Sequence, residues 1–112
     1  MIHTDIENIM DVIKMVPPMI DSEIGDSKEY VIRAMETRVH FPDFARLMYE
    51  LSMEEMDHMS RIHAAAADLI EAYRNENGEP PAPMMAVYDY LHGQQIENAA
   101  AVKALQNMYK SA

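Results

Sequence analysis

The amino-acid sequence predicts an all-α protein, an antiparallel three-helix arrangement in which a long hairpin is followed by a C-terminal helix. Three observations predict it. Met, Ala and Glu are abundant and there are only three glycines, a composition that favours helix. Apolar residues recur in alternating steps of three and four, the spacing of a helix that buries one face, and no strand alternation is present. Two punctuation points, His40-Phe41-Pro42-Asp43 and Asn75-Glu76-Asn77-Gly78-Glu79-Pro80-Pro81, divide the chain into three segments.

The first helix is expected from about Thr4 or Asp5, either of which can cap it, to about Arg38. Its seam reads Ile9, Ile13, Val16, Ile20, Glu23, Ser27, Tyr30, Ala34. Pro17-Pro18 lies inside it. A proline there removes a backbone hydrogen bond and clashes with the preceding turn, which predicts a kink or a short break. The second helix is expected from Pro42, a residue suited to a first helical position, to Asn75. Its seam is Phe44, Met48, Leu51, Glu55, His58, Ile62, Ala65, Leu69, Tyr73. Gly78 and the prolines stop it. The third runs from Ala82 or Pro83 to Tyr109, with a seam of Met85, Tyr88, His92, Ile96, Ala99, Val102, Leu105 and Tyr109. Residues 1–112 are expected to form one domain. Short connections make neighbouring helices antiparallel, and three helices leave a groove that self-association can close.

Composition narrows the function. Without cysteine there are no disulfides, thiolate nucleophiles or Cys-based metal clusters. The formal net charge of -10 repels nucleic acid and anionic membranes and attracts cations. No apolar run reaches the ~20 residues of a membrane span, and the first residues lack the basic and apolar regions of a signal peptide. A cytoplasmic protein is expected. No phosphate-binding Gly loop or nucleophile–base pair is visible. The 12 methionines read as flexible core filling, or as a surface for a partner.

Glu23, Glu55 and His58 occupy positions where the seams call for apolar residues. A carboxylate in such a seam is costly unless something pairs with it. Glu55-Met56-Asp57-His58 is an E-x-x-H, and residues three apart on a helix share a face and can hold one cation. Glu23 precedes the turn at His40 by 17 residues and Glu55 follows it by 15, a mismatch of about 3 Å of helix rise. One chain therefore offers two carboxylates and one imidazole. Two chains about a two-fold axis would offer four and two, the ligand set of helical di-iron and di-manganese sites. A single ion held within one chain and completed by water is the competing arrangement. A buried hydrogen-bonded pair needing no metal is the plainer reading of Glu55 and His58, and pairing with Lys28 or Arg33 is that of Glu23.

Glu23-Ile-Gly-Asp-Ser-Lys-Glu-Tyr30 followed by Pro42-Asp-Phe-Ala-Arg-Leu-Met-Tyr-Glu-Leu-Ser-Met-Glu-Glu55-Met-Asp-His58 resembles the first half of the ferritin-like superfamily, most closely its rubrerythrin-type pattern, over roughly residues 20–70. The resemblance implies that Glu23, Glu55 and His58 are iron ligands, with manganese as the alternative metal. It implies that Glu55 bridges two ions, that Tyr30 lies just behind the ligands, and that Fe(II) is oxidised by oxygen or peroxide. Only half of the family's ligands are present. That is similar to the short encapsulated ferritins, which build the di-iron centre between subunits, and more loosely to small bacterial and prophage ferritin-like proteins. The C-terminal residues show no encapsulin-docking tail, and the long third helix departs from the encapsulated proteins. The implied partners are a second copy, as a two-fold dimer or multiples of it, and a protein shell. The rival is a catalytically silent helical binding or structural module associated with a shell or phage component.

Other ionisable residues carry plainer readings. Glu54 and Asp57 are expected on a solvated face. His92, mirrored across the second turn, should face about residue 67, some 18 Å from the Glu55 level, as a core or interface histidine. His3, His40 and His63 receive no role.

Overall fold

The computed structural model describes residues 9–111 as three helices: α1 (Ile9–Thr37), α2 (Pro42–Asn77) and α3 (Ala82–Ser111). No strand occurs among the described residues. The proposed caps at Thr4 and Asp5 lie outside them. α1 and α2 form an antiparallel hairpin. α3 lies along it parallel to α1, since Gln95 meets Pro17 and Asp21 while Gln106 meets Ser27 and Ser52.

The helix ends follow the local chemistry. Pro42 opens α2, and Phe41 caps it through its backbone alone, with no side-chain bond. Gly78 closes α2 at φ 81° and donates its N–H to the Arg74 carbonyl at 3.0 Å. α2 continues two residues past the expected Asn75, and α3 reaches Ser111 rather than Tyr109.

α1 is one helix through Pro17-Pro18, so the short break, one of the two expectations there, does not occur. The two rings deprive the Ile13 and Lys14 carbonyls of their helical donors, so the continuity comes from packing. Pro17 is buried among the inward residues of α1. Its own carbonyl accepts a hydrogen bond from Gln95 Nε2 of α3 at 3.0 Å.

The core comprises Ile13, Val16, Ile20, Ile24, Val31 and Ala34 of α1, Ala45, Ala66 and Ile70 of α2, and Val102 of α3. In α1 the expected seam is buried except at Glu23 and Tyr30, which are half-buried beside Ile24 and Val31. Ile9 is half-buried too. In α2 the inward face sits one residue later than expected. Ala45, Ser52, Ala66 and Ile70 are buried, while Phe44, His58 and Ala65 are exposed. One residue is a rotation of about 100°. Small side chains take the line of closest approach and the larger apolar ones flank it.

Polar groups sit where that approach is tightest. Ser27 and Ser52 are fully buried and bond across the α1–α2 contact. Gln106 Nε2 reaches both hydroxyls from α3, at 3.4 Å and 2.9 Å. On α3, Gln95 and Gln106 are buried with Val102, whereas the seam residue Ile96 is exposed. Burial is acceptable for these amides because partners meet them.

α3 covers one flank of the hairpin, where Tyr49 stacks on Tyr109 at 4.8 Å and His63 meets His92 edge-on at 4.5 Å. On the other flank Met15 and Met19 of α1 and Phe44 and Leu47 of α2 are all exposed. The radius of gyration of 17.4 Å exceeds the ~13 Å of a compact chain of this length. Among the described residues, no helix is long and apolar enough to cross a membrane.

Candidate metal centre

The uncovered flank carries Glu23, Glu55 and His58. Glu23 stands one turn before Ser27 on α1. Glu55 stands three residues after Ser52 on α2, and His58 one turn further. The serine pair therefore sets the level at which the three meet. One ligand atom from each lies within 4.8 Å of the other two, and no other such group of His, Cys, Asp or Glu occurs among the described residues. His58 Nδ1 is 3.5 Å from Glu23 Oε2 and 3.7 Å from Glu55 Oε1. The Glu23 and Glu55 side chains are 23% and 19% exposed, and that of His58 is 48% exposed. The carboxylates thus line the floor and the imidazole the rim.

No lysine or arginine among the described residues forms an ion pair with these carboxylates. Glu23 Oε2 is buried and has no hydrogen-bond partner among the described residues. The arginines with ion pairs use them elsewhere: Arg33 with Glu29 and Glu36, Arg46 with Asp43, Arg74 with Glu71 and Glu79. The Glu55 carboxyl is raised above the ordinary glutamate range. A proton shared with Glu23 is the largest cause, burial and the Glu23 charge act in the same direction, a charged His58 opposes them, and Asp26 adds to the rise. Two carboxyls this close resist losing both protons.

A cation fits this set. Two atoms each about 2.1 Å from one ion lie at most about 4.2 Å apart, so a contraction of roughly half an ångström would bring the widest pair into range. Two carboxylates and an imidazole suit hard or borderline divalent ions such as iron, manganese or zinc. Three protein ligands leave coordination positions open.

Glu54 and Asp57 are exposed, as expected of a solvated face. Tyr30 is half-buried and makes no side-chain hydrogen bond among the described residues. His92 meets His63, one turn from the expected residue 67, and stands apart from the cluster. The buried network of Ser27, Ser52 and Gln106 is absent from the sequence expectations. Its one signal is Ser27, a polar residue on an apolar seam. Ser52 and Gln106 each lie one residue off the seam read for their helix.

The chain matches no protein-family model, no curated protein and no solved structure. The functional reading therefore stands on the geometry of Glu23, Glu55 and His58.

Proposed function

We propose that the protein binds iron through Glu23, Glu55 and His58 and oxidises Fe(II) with oxygen or peroxide, at a centre completed by a second copy of the chain on a ferritin-like scaffold. The observation that carries this is Glu23 Oε2, a buried carboxylate oxygen without a hydrogen bond that faces a histidine nitrogen at 3.5 Å. A buried anion of this kind is costly unless neutralised, and a cation would neutralise it together with Glu55. Fe(II) is the substrate and gives its electron to the oxidant. The chain's own groups bind and orient the ion, and Glu55 yields its proton when a cation arrives.

The second copy is supported by the uncovered flank. Met19, Phe44 and Leu47 are exposed, so two hairpins facing each other on this flank would bury apolar surface and double the ligand set. The manganese alternative uses the same residues, and a protein shell around the dimer remains part of the proposal.

The rival is a catalytically silent binding or structural module. One consideration favours it: closeness to Glu23 and burial push the Glu55 carboxyl towards its neutral form, which relieves part of the buried charge without any metal.

The deciding experiment is anaerobic Fe(II) titration of the purified chain, with sedimentation and stopped-flow oxidation. About one iron per chain, a two-chain species, and at least tenfold slower oxidation in Glu55→Ala and His58→Ala are expected. A chain that stays ion-free under iron excess, or variants that oxidise iron as the parent does, overturns the proposal.

A further inference from the structure

α2 carries a second set of metal-binding side chains one to two turns beyond Glu55, in a cavity shared with α3 that neither Glu55 nor His58 lines. There α2 and α3 diverge around a cavity of about 620 Å³. His63 of α2 and His92 of α3 both line it, with ring centroids 4.5 Å apart and planes at 80°. Met59, one turn before His63 on the same helix, lines it as well. We propose that His63, His92 and Met59 form a separate site for a single soft monovalent ion, Cu(I).

The donors fix the class of ion. Imidazole suits copper, zinc and nickel, and thioether selects Cu(I). Both histidines are half-buried. Ligands of one ion at about 2 Å must lie within about 4 Å of each other, and the broad χ2 torsions of the two rings allow a nitrogen of each to come within that reach.

Charge separates Cu(I) from the divalent ions. No Asp or Glu lines this cavity, and Lys103 does. A divalent ion held by two neutral imidazoles and a thioether would keep its full double charge beside apolar walls and a lysine. A monovalent ion carries half that charge, and the cost of burying an ion rises steeply with its charge. The carboxylate cluster has the opposite character, with two anionic ligands near water. α2 thus contributes to a hard site and, one to two turns further along, to a soft one. An ion in the second would also tie α3 to α2, beyond the Tyr49–Tyr109 stack and the Gln106–Ser52 hydrogen bond.

The test is competition between the full chain and a chromophoric Cu(I) chelator under anaerobic reducing conditions, with circular dichroism to confirm that each variant is helical. One Cu(I) per chain is expected in the parent and in the Glu55→Ala/His58→Ala variant. At least a tenfold loss of affinity is expected in His63→Phe and His92→Phe, which keep an aromatic ring in place. X-ray absorption should show nitrogen and sulfur neighbours, with the sulfur lost in Met59→Leu. Failure to hold Cu(I) against the chelator, unchanged affinity in the phenylalanine variants, or tighter binding of Zn(II) than Cu(I) at the same histidines overturns the assignment. Loss of Cu(I) in Glu55→Ala/His58→Ala overturns it too, by placing the ion in the carboxylate cluster. Iron oxidation is read separately, so failure of one site leaves the other standing.

Discussion

Ser27 and Ser52 exchange hydrogen bonds across the α1–α2 contact: each hydroxyl donates to the other residue's backbone carbonyl at 2.7 Å. The hydroxyl oxygens in turn accept from Gln106 Nε2 of α3. Every donor in this exchange has an acceptor, so burial leaves none of them stranded. The pair also sets the register of the hairpin, and the register brings Glu23 of one helix level with Glu55 of the next.

Ser52→Ala is expected to lower stability by about 1–3 kcal/mol, the cost of leaving buried polar partners unsatisfied. Urea denaturation followed by circular dichroism measures it. Because the two serines share one network, Ser27→Ala/Ser52→Ala should cost less than the sum of the single changes. Strict additivity would show that the two hydroxyls act independently.

The raised carboxyl of Glu55 makes the ion-free protein sensitive to pH. The folded state holds this proton more tightly than the unfolded chain does, so Glu55 favours folding most at low pH. That contribution is lost as pH rises from the usual glutamate value of about 4.3 through the raised value in the fold. In metal-free buffer, melting temperature should therefore fall across this window in the parent and fall less in Glu55→Gln. A parent whose melting temperature rises through the same window contradicts the shared proton.

The uncovered flank gives an assembly prediction. Met19 and Phe44 are exposed in the single chain, so Met19→Lys/Phe44→Asp should alter the stability of that chain by less than about 1 kcal/mol in total. If two hairpins meet on this flank, the variant should sediment as one chain where the parent sediments as two. A parent that is already a single chain at every concentration, or a variant that still pairs, removes this face as the interface.

Gly78 adopts φ 81° at the end of α2, and a side chain there would meet no atom within 4 Å. The cost of Gly78→Ala is then conformational alone, about 1 kcal/mol. Thermal melting of the variant checks it, and a larger loss would point to a steric clash.

The existence of three helices, their two turns and the inward direction of α1 were legible in the amino-acid order because period and punctuation are local properties. Pro42 and Gly78 act through their own backbone geometry, and Ile13, Val16 and Ile20 through their spacing. The meeting of Glu23, Glu55 and His58 was legible too, since helix rise and turn position alone place them at one depth. Tertiary structure decided the rest. It turned α2 by one residue, so that Ala45 and Ser52 approach α1 and His58 moves to the rim. It carried α1 through Pro17-Pro18. It brought Gln106 onto a serine pair and His92 onto His63. Periodicity states which residues are apolar, but which of them points inward depends on how closely two helices can approach. That distance is set by small and polar side chains whose partners lie on other helices.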